Sequence, residues 1–208
     1  MVLMIIRRGA EAEIHLTTWL DRKVISKHRV PKNYRLPELD QTLRVARTKK
    51  EAKLISEARR LGVSTPIIYD IDSNEHKIIM EYIDGPRVKD MIPSLNDDER
   101  KNMFKFIGHS IGLLHKNNIV HGDLTTSNIL HSNNKLYFID FSLGDIAEDI
   151  EAKGVDIHLL MEAFESTHPE YMDEFKYVLE GYGEVFNRSG EVVAKIDEII
   201  RRGRYTHD

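Results

Sequence analysis

The periodicity of the chain changes near Gly85-Pro86, and that change limits the folds open to it. Before this point AEIHLTTWL and KVISKHRV alternate or run apolar and are rich in β-branched residues. With Asp21-Arg22 between them, they predict a hairpin that follows a turn at Gly9. TPIIYDID and HKIIMEYI read as two more strands, joined by a polar Ser73-Asn74 turn. Between these pairs, VPKNYRLPELD breaks regular structure with two prolines. From Leu39 to Leu61 the spacing turns helical: Leu43, Ala46, Leu54, Ala58 and Leu61 recur at intervals of three or four, and Gly62 stops it. After Gly85-Pro86 helical spacing dominates. From Asp97 to Asn117, Met103, Phe104, Ile107, Ile111, Leu114 and His115 share one face. LYFID is a short apolar strand, and GVDIHLLMEAF begins a further helix with Asp156 placed to cap or brace it. The expectation is an α+β, two-lobed chain. Residues 1–84 form a strand-rich N-terminal lobe with one long helix, and residues 85–208 a reduced helical C-terminal lobe ending in a basic tail.

Composition narrows the function classes. A hydrophobic fraction of 41% supports a real core, and the absence of cysteine excludes disulfides and thiol chemistry. The N-terminal run MVLMIIRRGAEAEI places its apolar residues before its arginines, the reverse of a signal peptide. No segment is apolar for long enough to span a bilayer. These features predict a soluble, cytoplasmic protein with no membrane partner. Charge is unevenly spread: Arg22 to Arg60 holds 13 Lys and Arg against 4 Asp and Glu, while Tyr137 to Phe175 holds 11 acidic residues and one Lys. The basic third could meet an anionic partner, and a solvated helix face accounts for it equally well.

Chemistry concentrates in HGDLTTSNIL, which sets Asp123 and Asn128 five residues apart, and in the strand LYFID that carries Asp140 17 positions after Asp123. This pair of motifs resembles the protein-kinase catalytic loop and its metal-binding Asp-Phe-Gly. Phosphoryl transfer needs a carboxylate beside the attacking oxygen and Mg²⁺ to bridge phosphates. Magnesium takes hard oxygen ligands, which Asn128 and Asp140 supply while Asp123 orients the nucleophile. Lys27 shares a strand face with Ile25, as in Val-Ala-Ile-Lys, and becomes the expected phosphate-binding lysine in preference to Lys23 at the hairpin turn. Glu51 and Glu57 on the long helix are its candidate partners, and Glu51, nearer the helix start, is preferred. In place of three spaced glycines, RRGAEAEI offers Gly9, Ala10 and Glu11 to cover the phosphates. MEYIDG, with Met80, Glu81 and Ile83, lies where a hinge strand would present backbone groups to adenine.

The order GAEA, KHRVPKNYRLPELD, a basic helix with RTKKEA, HGDLTTSN, KGVD, STHP and RRGR is specific. It resembles the small atypical kinase/ATPase family of the KEOPS complex (the Bud-type, PRPK-like proteins) over nearly the whole chain. The resemblance implies a minimal kinase fold with ATP and Mg²⁺ as cofactors, and ATP hydrolysis or autophosphorylation. It also implies partnership with the tRNA threonylcarbamoyladenosine synthase subunit, other KEOPS subunits and tRNA. The pattern departs at Asp140-Phe141-Ser142, where serine replaces glycine. Gly122 stands where kinases place a phosphate-reading arginine, and no Ala-Pro-Glu follows Asp140, so control is expected to come from a protein partner. Two rival readings are a small-molecule phosphotransferase of the aminoglycoside or choline type, and a scaffold that holds ATP without turnover. The first needs a larger helical substrate lobe than the residues after Asp156 provide.

Overall fold

The computed structural model describes residues 4–9 and 11–204. Five strands form one antiparallel sheet in the order β1-β2-β3-β5-β4: β1 (Met4–Arg8), β2 (Ala12–Trp19), β3 (Arg22–Arg29), β4 (Ile68–Asp72) and β5 (Lys77–Glu81). The expected hairpin is β2-β3. It closes through Leu20 and Asp21, both at positive φ, the two-residue turn whose twist matches that of the strands. β1 was not anticipated, because its residues MIIRR do not alternate; it pairs with β2 at the sheet edge across an irregularity between Ile5 and Arg7.

Helix α1 (Pro37–Arg60) starts two residues earlier than its apolar spacing suggested, with Pro37 in its first turn, where a missing N–H costs nothing. It buries Glu51, Ala52, Leu54, Ile55 and Ala58. Ala52 packs with Ile78 and Met80 under the sheet, whereas Leu54, Ile55 and Ala58 join the larger core formed by the second half of the chain. One helix therefore belongs to both cores, which fixes the sheet against the helices below it.

The second half contains α2 (Val88–Met91), α3 (Asp97–Lys116), α4 (Ile150–Thr167), α5 (Lys176–Gly183) and α6 (Ser189–Arg204). A reciprocal Asn96–Glu99 capping box starts α3, and its predicted apolar face is buried at Phe104, Ile107, Ile111, Leu114 and His115. Helices α3 and α5 meet backbone to backbone. A Cβ on Gly108 would lie 1.8 Å from the Val178 carbonyl oxygen, and one on Gly181 2.0 Å from that of Lys105. Two small ribbons lie between α3 and α4. The first pairs β6 (Ile119–Val120) with β9 (Asp145–Ile146), and the second pairs β7 (Ile129–Ser132) with β8 (Lys135–Phe138). The spacing between Asp123, Asn128 and Asp140 is thus the length of a loop plus one hairpin. Among the described residues no helix is long and apolar enough to cross a membrane.

Candidate active site

The cleft between the sheet and the two ribbons is lined from both sides. One cavity of about 230 Å³ is bounded by Ile14, Ile25 and Met80 of the sheet, by Glu81, Tyr82 and Ile83 along its edge, and by Asn128, Leu130, Ile139 and Asp140. A second, of about 180 Å³, opens beside it and is lined by Gly9, Glu11, Asp123, Ser142 and Leu143. Ile14, Lys27 and Asp140 line both. The first is the more apolar of the two, and the second is ringed by charge.

Lys27 lies at the junction. Strand β3 points it inward, and its Nζ donates to Glu51 Oε1 (2.5 Å), Asp140 Oδ1 (2.7 Å) and Ser142 Oγ (2.8 Å). Of the two glutamates proposed from sequence, Glu51 is 1% exposed and meets Lys27, while Glu57 faces Lys53 across 3.8 Å. Lys23 is exposed near the hairpin turn. Arg29, two residues along the same strand face, was not anticipated. It donates to the other Glu51 oxygen (2.6 Å) and to Glu11 (3.3 Å), and Arg47 of α1 also binds Glu11. A chain of alternating sign, Arg47–Glu11–Arg29–Glu51–Lys27–Asp140, therefore ties the turn after β1 to the long helix and the helix to the cleft. The signal was present in the sequence: Lys27 and Arg29 are two apart, so they share a face.

Burial acts to raise the Asp140 carboxyl, but the Lys27 ammonium, its hydrogen bond and that of Ser142 outweigh it and hold the group at about 2. Asp140 also has a left-handed backbone (φ 66°), a conformation that costs free energy in a non-glycine residue and concentrates at functional sites. Asn128 donates its amide to both the Asp123 carbonyl and Asp123 Oδ2 at 2.9 Å. That use of its nitrogen leaves the amide oxygen available as an acceptor, and Asn128 and Asp140 line the same cavity. An amide oxygen and a carboxylate suit Mg²⁺, which completes its shell with water and phosphate rather than with a protein cage.

The turn expected at Gly9 is present, closed by its N–H donating to the Ala12 carbonyl (2.9 Å). That amide is therefore committed, and Gly9 contributes proximity to the second cavity rather than a donor. Glu11 lines the same cavity but is held by the two arginines. Ala10 lies outside the described residues. Met80, Glu81 and Ile83 all border the apolar cavity.

The backbone of the His121–Asp123 loop is held from below. Asp156 sits in the second turn of α4, not at its end. The helix is capped by Asp149, whose side chain accepts from Ala152 N–H. Asp156 instead accepts from the backbone N–H of His121 (2.7 Å) and Gly122 (2.8 Å), and from His115, whose other nitrogen meets the Tyr182 hydroxyl. Burial pushes the His121 imidazole below its ordinary value, and its bonds fit the neutral ring. Nε2 donates to the Ile139 carbonyl, and Nδ1 accepts from Asp123 N–H. Gly122 has φ 78°, and a Cβ there would lie 2.3 Å from the Leu143 carbonyl oxygen. Only glycine fits, so the loop and the segment after Asp140 touch directly and leave no room for the arginine found in kinases.

An antiparallel sheet with one long helix, closing over a helical half with these residues in the cleft, is a protein-kinase-like fold. Residues 14–175 match the RIO domain. The chain is 43% identical to KEOPS complex subunit Bud32 of Pyrococcus abyssi, over 98% of this chain and 96% of that protein. It is 45% identical to the probable bifunctional tRNA threonylcarbamoyladenosine biosynthesis protein of Methanosphaera stadtmanae, over 95% of this chain and 36% of that one. It thus spans about a third of such longer relatives. The Rio2 kinase from Chaetomium thermophilum, solved as an ADP/Mg²⁺-phosphoaspartate complex, matches with a TM-score of 0.66 at 15% identity, covering 96% of this chain and 70% of that one. At that identity the match speaks for the fold. The chain belongs to the RIO-domain family and, within it, to the family of KEOPS complex subunit Bud32.

Proposed function

We propose that this chain is an ATP-dependent phosphotransferase with ATPase activity that serves tRNA threonylcarbamoyladenosine synthesis as a KEOPS subunit, working in the cytoplasm on protein serine or threonine and on water. The observation that carries the reading is the sharing of Lys27 and Asp140 by an apolar and a charged cavity, with Asp123 and Asn128 at their floor. Adenine fits the apolar cavity, with Ile14 and Ile25 above it, Leu130 and Ile139 below, and the Glu81–Ile83 backbone at its edge. The phosphates then extend past Lys27 into the second cavity. Residues 1–84 and 85–208 act as the two lobes, with the hinge at Gly85.

In this reading Lys27, held by Glu51, binds the α- and β-phosphates. Asn128 and Asp140 hold Mg²⁺, which when bound neutralises charge on the phosphate oxygens. Asp123, fixed by Asn128, orients the hydroxyl or water that attacks and takes up its proton. The segment between Asp140 and α4 is short and paired through β9 to β6, so no long loop waits to be ordered by phosphorylation. Regulation then falls to the partner synthase subunit, the other KEOPS subunits and tRNA. The names carried by the relatives support that assignment. The test is reconstitution: labelled ATP is followed with the chain alone, with its synthase partner, and with partner and tRNA. Turnover that rises with partner and tRNA, alongside threonylcarbamoyladenosine formation, is expected. Modification that proceeds at full rate with a chain unable to hydrolyse ATP would reduce the protein to a scaffold.

A further inference from the structure

Ser142 stands where a kinase motif has glycine, and the inference drawn from it rests on reading the cleft as an Mg²⁺-nucleotide site. Its Oγ donates to Asp140 Oδ1 and accepts from Lys27 Nζ at 2.8 Å, while Lys27 itself reaches the same Asp140 oxygen at 2.7 Å. The three groups close a triangle, and Glu51 takes the remaining donor of Lys27. An ammonium has three N–H donors, so Lys27 is saturated without a ligand. Binding a nucleotide redirects at least one of them to phosphate. Glu51 is buried and fixed to Arg29, so the contacts that Lys27 releases are those to Asp140 and Ser142.

With glycine at position 142, release by Lys27 would leave the Asp140 side chain with no protein donor among those that hold it here. The hydroxyl changes this outcome. It bonds an ionised carboxylate, the stronger kind of hydrogen bond, and it is only two residues away on a backbone already set by the left-handed Asp140. Ser142 also lines the charged cavity with Gly9 and Asp123, on the side where phosphate would enter. We propose that Ser142 is a positioning residue: it keeps one Asp140 oxygen fixed as Lys27 turns to the nucleotide, so that the other oxygen is presented to Mg²⁺.

Outer partners of metal ligands act on metal affinity, so the readout is binding rather than turnover. The affinity of the full chain for a fluorescent ATP analogue is measured with Mg²⁺ and with EDTA, for wild type, Ser142→Ala, Ser142→Gly and Ser142→Thr. Ser142 is only partly buried, and glycine at this position matches the ordinary kinase motif, so these variants are expected to fold. The Ala and Gly variants should lose affinity on the order of tenfold with Mg²⁺ and keep it in EDTA, and Thr should restore it. Wild-type Mg²⁺ dependence in Ala and Gly would overturn the inference, as would equal losses with and without Mg²⁺ or failure of Thr to rescue. A wild-type chain with no Mg²⁺-dependent affinity would overturn the nucleotide-site reading as well, which separates the two failures.

Discussion

At Lys27 burial alone would drive the ammonium toward its neutral form, yet Glu51 and Asp140 more than compensate and raise its pKa. Asp140 responds in the opposite sense and is held at about 2 against an ordinary 3.8. A carboxyl depressed on folding stabilises the native state above its unfolded value and loses that contribution as pH falls through the folded one. This pair should therefore contribute on the order of 2 kcal/mol above pH 4, fading as the pH drops toward 2. Replacing Lys27 by Met should let the Asp140 carboxyl rise toward or above its ordinary value in a carbon-detected NMR titration, and weaken ATP binding at least about tenfold. Lys23→Ala should change neither. That contrast was legible in the sequence, because alternation puts both lysines on one strand face but only Lys27 away from the turn. Glu51 over Glu57 was harder to read, since the two lie less than two turns apart and only the packing of Ala52 and Ile55 decides which is carried inward. Arg29 was missed because one lysine sufficed for the motif. Its pairing with Glu11 depends on a turn eighteen residues away.

Helix α4 works as a brace whose first two turns hold the segments flanking the candidate site with opposite charges. Lys153, 1% exposed, donates to the carbonyls of Ala147 (2.9 Å) and Glu148 (2.8 Å) and to Asn118 (3.1 Å). Three residues on, Asp156 accepts from the backbone amides of His121 and Gly122. Asp156→Ala should cost on the order of 3 kcal/mol in urea unfolding, because it strands two amides in the interior. Asp156→Asn, which keeps one acceptor, should cost less. If both variants unfolded like wild type, the loop would owe its shape to something else. Gly122→Ala should lower stability and ATP turnover together, since its Cβ meets the Leu143 carbonyl at φ 78°. At this scale the long elements and the short apolar strand β8 were legible from the sequence, and the two-residue strands were not. β6 and β9 have two residues each and exist through pairing across the chain, which no local pattern signals. Asp156 was read as capping or bracing its own helix because its partners at His121 and Gly122 lie about 35 residues earlier.

For the whole molecule, the uneven charge is more balanced in space than along the chain. Arg44 binds Asp40, Arg47 binds Glu11, Lys50 binds Asp145 and Lys53 faces Glu57. The Lys50–Asp145 pair ties the basic helix to the acidic stretch at one point. Cations already paired release few counterions, so tRNA binding by the isolated chain should show a shallow salt dependence, with a slope of about one or two. A steep slope that flattens on reversing Arg47, Lys49 and Lys50 would instead make α1 a surface for tRNA phosphates. The central claim concerns the cleft, and Asp123 is where it can be tested most directly. Labelled-ATP turnover and nucleotide affinity are measured side by side for wild type and Asp123→Ala under saturating Mg²⁺. The account predicts affinity within about threefold of wild type and turnover lower by on the order of a hundredfold or more, because Asp123 orients the attacking oxygen without holding the nucleotide. Wild-type turnover in Asp123→Ala would contradict it.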